Sequence, residues 1–280
     1  MVPGPLFVML KPRIKINKMK KTSISVVIPC FKESGTIYKN IEKIRNYLSG
    51  RFARYEIIAV NDGSRDNTWS ELEKARESFG IIALNKETNE GKGHAVKDGV
   101  AASRFDFVLF LDADLAIPIE ELDKFMAEAS SGTDMVIASR FVPGLKILEP
   151  VLWYRKIMER VFRLIRMVII NNYNIKDTQC GFKLFHGKCA RKIFPLMRTR
   201  RFAFDAELIF IASKLRCTIK ELPISLQNPR KTSIRIFSDS LNMLIDLMKI
   251  RWNDLNGAYA GAAVSKIMVK TKKVIEDDAN

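Results

Sequence analysis

Leu109-Phe110-Leu111-Asp112-Ala113-Asp114-Leu115 is an apolar run that ends in two carboxylates one residue apart. Phe107 to Leu111 are apolar and β-favouring, which predicts a strand buried on both faces of a mostly parallel sheet. The carboxylates therefore fall at the C-terminal end of the strand, where open α/β sheets bind ligands. Acids at that place suit a hard cation that bridges to phosphate oxygens. Pro118 then opens a helix with Ile119, Leu122, Phe125 and Ala129 on one face, so the acids sit in a strand-to-helix loop. Asp-x-Asp by itself also suits a helix cap and a solvated turn, and the neighbouring stretches decide between the two.

The same pattern repeats upstream. Ser23 to Ile28 predicts a first strand, left through Pro29-Cys30-Phe31-Lys32-Glu33, and a helix follows with Ile37, Ile41, Ile44 and Leu48 at helical spacing. Tyr55 to Val60 predicts a second strand ending in Asn61-Asp62-Gly63-Ser64-Arg65-Asp66. Thr68-Trp69-Ser70-Glu71 has capping-box spacing for a helix that buries Trp69, Leu72 and Phe79. Ile81 to Leu84 reads as a third strand, and Asn89-Glu90-Gly91-Lys92-Gly93-His94 leads into another helix. Such alternation builds a doubly wound α/β sheet. Its strand ends carry Glu33, Asp62, Lys92, Asp112 and Asp114. Singly each fits a turn or cap, and Gly91-Lys92-Gly93 lacks the spacing of a phosphate loop. Together, acids for a base, a ribose and a metal, with a lysine for a diphosphate, describe a nucleotide-sugar pocket.

The 280 residues, 47% hydrophobic and 28% charged, suffice for one large domain or one domain with an extension. No stretch reaches the roughly 20 consecutive apolar residues of a spanning helix. Val151 to Ile170, the most apolar long candidate, is broken by Arg155, Arg160, Arg163 and Arg166. Met1 to Leu10 is apolar but lacks the charge order and cleavage site of a secretory signal. Cys30, Cys180, Cys189 and Cys217 have no metal-ligand spacing and need not pair, which suits a reducing cytoplasm. The net charge of +16 is unevenly spread. Residues 1–22 form a basic tail, residues 24–139 hold 14 basic and 19 acidic side chains, and residues 140–201 hold 15 and three. A field of that sign steers anionic partners. A nucleic-acid-binding protein would account for it but gives no reason for the acidic first half.

Six stretches in register carry a family resemblance: Val27-Ile28-Pro29-Cys30-Phe31-Lys32-Glu33, Asn61-Asp62-Gly63-Ser64-Arg65-Asp66, Asn89-Glu90-Gly91-Lys92-Gly93, Asp112-Ala113-Asp114-Leu115, Ala138-Ser139-Arg140-Phe141 and Asp177-Thr178-Gln179-Cys180-Gly181-Phe182-Lys183. Residues 23–252 resemble family-two inverting glycosyltransferases of the GT-A fold, in the branch of polyprenyl- and dolichyl-phosphate sugar synthases. The last stretch is similar to that of dolichyl-phosphate glucose synthases, which favours UDP-glucose as donor, with mannose next. The resemblance implies an α/β, Rossmann-like, mostly parallel sheet with C-terminal amphipathic helices. It implies that Pro29, Cys30, Phe31, Glu33 and Asp62 frame the nucleoside, that Lys92 approaches the diphosphate, that Ala113 lines the nucleotide-sugar site, and that Asp112 and Asp114 hold Mg²⁺ or Mn²⁺ against the diphosphate. Lys32, Asn61 and Ala116 stand where many relatives carry Asn, Asp and, in mannose synthases, a metal-contacting Gln. The metal shell here therefore needs water or another side chain.

Residues 23–139 thus read as the nucleotide-sugar half and 140–252 as the acceptor half of one domain, with 253–280 a C-terminal tail. Beyond Pro143, Gly144 and Pro150 a long helix is expected, with Ile157, Val161, Leu164 and Val168 on one face and Lys156, Arg160, Arg163 and Arg166 on the other. Phe237, Leu241, Leu244 and Met248 predict a second amphipathic helix ending in Lys249, Arg251 and Trp252. Basic amphipathic helices suit an anionic membrane surface, and the same patterns suit core-packed helices with a solvated face. With the resemblance, they imply a peripheral enzyme on the cytoplasmic face of a membrane. A phosphomonoester has its second pKa near 6, so a lipid phosphate attacks without a general base. The enzyme must then screen two anions, through Arg140, Arg155, Arg160, Lys183, Arg230 and Ser233. Asp205 is expected to orient the acceptor arginines or the sugar, and Glu207 to be structural. His94 and His186 lack ligand spacing. A hydroxyl acceptor, glycan or protein, would instead need Asp205 as a base. A sugar nucleotidylyltransferase would need a glycine-rich, lysine-bearing signature that Ser23 to Glu33 lacks.

Overall fold

The computed structural model describes residues 21–143, 146–147, 163–169, 174–201, 203–226 and 236–259. Strands β1 (Ser23–Cys30), β2 (Arg54–Asp62), β3 (Ile82–Lys86) and β4 (Phe107–Leu111) alternate with helices α1 (Ile37–Ser49), α2 (Thr68–Phe79) and α3 (Lys92–Ala101). The chain continues through α4 (Leu122–Ala129), β5 (Met135–Ser139), the short β6 (Lys146–Ile147), β7 (Phe182–His186), α5 (Gly187–Ile193) and α6 (Phe204–Lys214). It ends in β8 (Ile219–Pro223), β9 (Ser225–Leu226) and α7 (Ile236–Leu255).

Seven strands form one sheet in the order β3-β2-β1-β4-β7-β5-β8. All pairs are parallel except those of β7, which runs antiparallel to both β4 and β5. The sheet is the mostly parallel, Rossmann-like GT-A architecture expected. β7 is not legible as a strand, because Lys183 and His186 interrupt its five residues and leave neither a continuous apolar run nor a strict alternation. Its insertion joins the two halves of the sequence in one sheet, and β6 pairs β9 in a separate two-stranded sheet.

β4 is buried on both faces. Phe107, Leu109 and Leu111 pack with α1, α2 and α4, whereas Val108 and Phe110 pack with α3, α5, α6 and α7. The helix after Pro118 begins as a 3₁₀ turn, Ile119–Glu121, and buries Ile119, Leu122, Phe125 and Ala129 as expected. The capping box at Thr68 does not form. The Thr68 hydroxyl instead donates to Asp66 at 2.6 Å and accepts the Glu33 N–H at 2.8 Å, tying the end of β1 to the start of α2. Glu71 pairs with Lys74 at 2.7 Å. Leu72 is buried, whereas Trp69 and Phe79 are only partly covered.

Two faces read from the sequence turn out differently. In the helical segment 163–169, Leu164 and Val168 point outward, while Arg166 is 2% exposed and donates to the Ile175 carbonyl at 2.8 Å. On α7, Leu244, Leu247 and Ile250 face the core and Met248 faces out, with Trp252. A tail was expected from residue 253, yet α7 runs to Leu255 and Tyr259 is 1% exposed against Phe210 and Glu207. Among the described residues no helix is long and apolar enough to cross a membrane.

α3 lies close on the sheet because Gly99 has no side chain: a Cβ there would stand 2.4 Å from Val27 Cγ1 and 3.2 Å from Val60 Cγ2. The Gly99→Ala variant should therefore lose about 1–3 kcal/mol of stability, read as a lower denaturation midpoint at unchanged m-value.

Candidate active site

The strand-end residues converge as the sequence reading required. Asp112 follows the last residue of β4, and Lys92 opens α3. The Lys92 ammonium meets Asp112 Oδ1 at 2.6 Å and lies 5.4 Å above the Phe110 ring. Burial works against the charged lysine, but Asp112, Asp205 and Asp114 outweigh it and hold the amine above its ordinary value. The Asp112 N–H donates to the Gly181 carbonyl at 3.1 Å, which anchors the turn to the residue just before β7. A Cβ at Gly181 would stand 2.0 Å from Asp112 Oδ2, so only glycine leaves that carboxylate its place. Leu115 takes a left-handed φ of 52°, and the Ala116 N–H donates to Asp114 Oδ1 at 3.0 Å. Asn40 on α1 donates to the Ala113 carbonyl at 2.7 Å, a brace that the sequence reading missed. Asp112 and Asp114 are both half-buried at the mouth of the sheet, and their oxygen donor set suits a hard divalent cation.

Other expected donor residues are placed less simply. Phe31 is exposed, Pro29 and Glu33 are half-buried at the end of β1, and the Cys30 side chain is wholly buried in the core. Cys30 therefore offers a ligand its main chain alone. Asp62 is 2% exposed and accepts the Glu90 and Gly91 N–H groups at 3.0 and 2.9 Å. It fixes the loop that delivers Lys92. Glu90, His94 and Asp98 bring ligand atoms within 4.8 Å of one another, but the Lys86 ammonium sits among them, 3.0 Å from both His94 Nδ1 and Asp98. That cluster, crossed by the lysine, is a brace of the same loop.

On the acceptor side, Arg140 forms a two-pronged pair with Asp177 at 2.8 and 3.1 Å, and its N–H donates to the same carboxylate at 3.0 Å. Burial alone would raise the Asp177 pKa; the Arg140 charge and hydrogen bonds overcome it and hold the carboxyl below its ordinary value. Asp177 is in turn fixed by Glu221, which accepts its N–H at 2.8 Å. Lys183, expected at the acceptor phosphate, has no exposed surface. It lies in the middle of the sheet on β7, where its ammonium pairs with Asp205 and donates to the Cys180 carbonyl at 2.6 Å. Asp205, expected near the arginines, is 3% exposed and pairs with Lys183 instead. Burial raises its pKa, and Lys183 and Lys92 oppose that shift. Arg155, Arg160, Arg230 and Ser233 lie outside the described residues.

Residues 25–194 match the model of glycosyl transferase family 2. The chain belongs to that family. This glycosyltransferase is 33% identical over 258 residues to a dolichyl-phosphate beta-glucosyltransferase of Saccharomyces cerevisiae, covering 84% of this chain and 76% of that one. The human protein of that description is 31% identical over 252 residues, covering 84% and 77%. In fold it is similar to Mycobacterium tuberculosis glucosyl-3-phosphoglycerate synthase crystallised with Mn²⁺, UDP-glucose and phosphoglyceric acid, with a TM-score of 0.65, 17% identity and coverage of 86% of this chain and 85% of that one.

One part of the glycosyltransferase's site carried no sequence signal. The loop 198–201 packs on the Lys92 loop: a Cβ at Gly91 would stand 2.6 Å from the Arg200 carbonyl, which also accepts the His94 N–H at 3.2 Å. Glu207, expected to be structural, is fully buried and accepts the Arg198 and Thr199 N–H groups at 3.0 and 2.7 Å and the Tyr259 hydroxyl at 2.6 Å. Three segments remote in sequence thereby meet behind Lys92.

Because the Asp177 pKa is depressed, its pair with Arg140 stabilises the fold fully above the ordinary carboxylate value and is lost as pH falls through the lower folded value. Asp177→Asn should cost about 1.5–3 kcal/mol at neutral pH and flatten the acid side of the stability profile, measured by denaturant unfolding from pH 7 to 2.

Proposed function

We propose that this enzyme transfers glucose from UDP-glucose to a dolichyl or related polyprenyl phosphate, with inversion and with help from a divalent metal. The observation that carries the choice of acceptor is the state of Asp205. A hydroxyl acceptor needs a base within hydrogen-bond reach of its proton. Asp205 is 3% exposed and neutralised by Lys183, whose ammonium itself lies 5.4 Å from the centre of the Phe110 ring, so it serves as a counter-ion and not as an accessible base. A phosphate nucleophile, with its second pKa near 6, needs none. The similarity to dolichyl-phosphate beta-glucosyltransferases of yeast and human supports the same acceptor and sugar.

The chain's own residues divide the work between two halves, 23–139 for the donor and 140–252 for the acceptor. Phe31, Glu33 and the main chain near Pro29 and Cys30 frame the nucleoside. Asp62 holds the Glu90-Gly91 backbone, which presents Lys92 to the diphosphate. Asp112 and Asp114 are the residues that would hold Mg²⁺ or Mn²⁺; when bound, the ion supplies charge neutralisation for the departing nucleoside diphosphate. Arg140, fixed by Asp177, lowers the repulsion between donor and acceptor anions. Arg155, Arg160, Arg230 and Ser233 are proposed to join it. Lys183 acts one step removed, by neutralising Asp205.

The outward faces support a peripheral seat on anionic lipid at the cytoplasmic side. Of the seven exposed large apolar side chains among the described residues, six belong to segment 163–169 and α7. They flank a groove of about 650 Å³ lined by Val168, Met248, Trp252 and Leu255 and edged by Lys249 and Arg251. Aromatic and basic residues together suit a membrane interface.

The test is release of UDP from UDP-glucose by the purified protein, scanned against GDP-mannose, with Mg²⁺ or Mn²⁺ and with or without dolichyl phosphate. Lipid-phosphate-dependent release, reduced at least ~10²-fold in Asp114→Ala, is expected. Turnover only with a hydroxyl acceptor would overturn the reading and make Asp205 the base. Separately, a Met248→Asp, Trp252→Asp double variant should lose about tenfold or more in sedimentation with anionic vesicles at unchanged Tm.

A further inference from the structure

Cys189 and Cys217 stand 28 residues apart in the chain and 3.2 Å apart, Sγ to Sγ. Cys189 lies in α5 and is 4% exposed. Cys217 is brought to it by the way α6 ends. Arg216 takes a left-handed φ of 57°, and the Cys217 N–H returns to the Ala212 carbonyl at 2.9 Å, which reverses the chain and lays Cys217 on α5. Both sulfurs are free thiols, the first buried and the second half-buried. Cys30 and Cys180 are each buried elsewhere in the core.

We propose that Cys189 and Cys217 are a redox-responsive dithiol, oxidised to an intrachain disulfide by exchange with a low-molecular-weight disulfide. Access and electronics assign the roles. The Cys189 thiol donates to the Cys217 sulfur, which lowers the Cys217 pKa; burial and Asp134 oppose the shift and Lys192 assists it. The half-buried Cys217 thiolate is the attacking group. It bonds to one sulfur of the reagent and expels one thiolate, leaving a mixed disulfide. Cys189 then gives its proton to solvent, bonds to the Cys217 sulfur and expels the second thiolate. Two protein thiols lose two electrons, and one disulfide becomes two thiols.

Closing the sulfurs to about 2.05 Å ties α5, which follows the strand of Lys183, to the end of α6, whose first turn holds Asp205. The cross-link restricts the unfolded chain, so the oxidised form is the more stable one. The experiment treats the reduced full-length protein with oxidised glutathione, then maps peptides by mass spectrometry without reduction. A linked peptide joining Cys189 to Cys217 is expected, with Cys30 and Cys180 unmodified and a Tm several degrees higher, both reversed by dithiothreitol. Cys189→Ser should stop at a stable glutathione adduct on Cys217, and Cys217→Ser should take up no glutathione. A wild-type adduct that persists on Cys217 beside a free Cys189 would overturn the proposal, as would an unreacted Cys217 or links through Cys30 or Cys180.

Discussion

The ion pair between Lys92 and Asp112, 2.6 Å across the mouth of the sheet, is the contact on which the rest of the site depends. It joins the first residue of a helix to the first residue after a strand, and both must be placed to a fraction of an ångström for the bond to exist. The protein secures each end by a different device. On the strand side, β4 is buried on both faces and cannot shift register without exposing one of them. On the helix side, Asp62 takes up the two N–H groups before Lys92, and the loop 198–201 presses on Gly91 from above.

Three cations around that pair each have a carboxylate partner. Lys183 is matched by Asp205, Arg140 by Asp177, and Lys86 by Glu90 and Asp98. The fully buried pair, Lys183 with Asp205, contributes little net stability, but breaking it leaves an uncompensated charge. The use of these pairs is geometric. Arg140 is aimed by the two hydrogen bonds that its guanidinium donates to Asp177, and the amine of Lys183 cancels the charge of a carboxylate held beside the Lys92 ammonium.

Much of this was legible along the chain. The alternation of apolar runs announced the α/β sheet, and each strand end carried its polar residue in plain view, because side chains at a strand's C-terminal end follow directly from where the apolar run stops. Helix faces were less secure. Arg166 is buried away from the basic face expected of it, and Leu244 faces the core while Met248, grouped with it by periodicity, faces out, since an amphipathic pattern marks two faces without saying which neighbour covers either. β7 gives no such signal, because Lys183 interrupts its short apolar run.

What the sequence determined by itself was local and additive: strands, their ends, the acidic pair after β4, and the family to which the six stretches belong. What only the tertiary structure decided were partnerships between residues far apart in the chain. Lys183 was read as a phosphate ligand and is a buried counter-ion, because β7 enters the middle of the sheet and carries the lysine out of solvent. Glu207 reaches Tyr259, 52 residues on, and Cys189 meets Cys217 because the chain reverses after α6. A charge or a thiol has no fixed chemistry until its neighbours set the local dielectric and offer, or withhold, a partner, and those neighbours come from the fold.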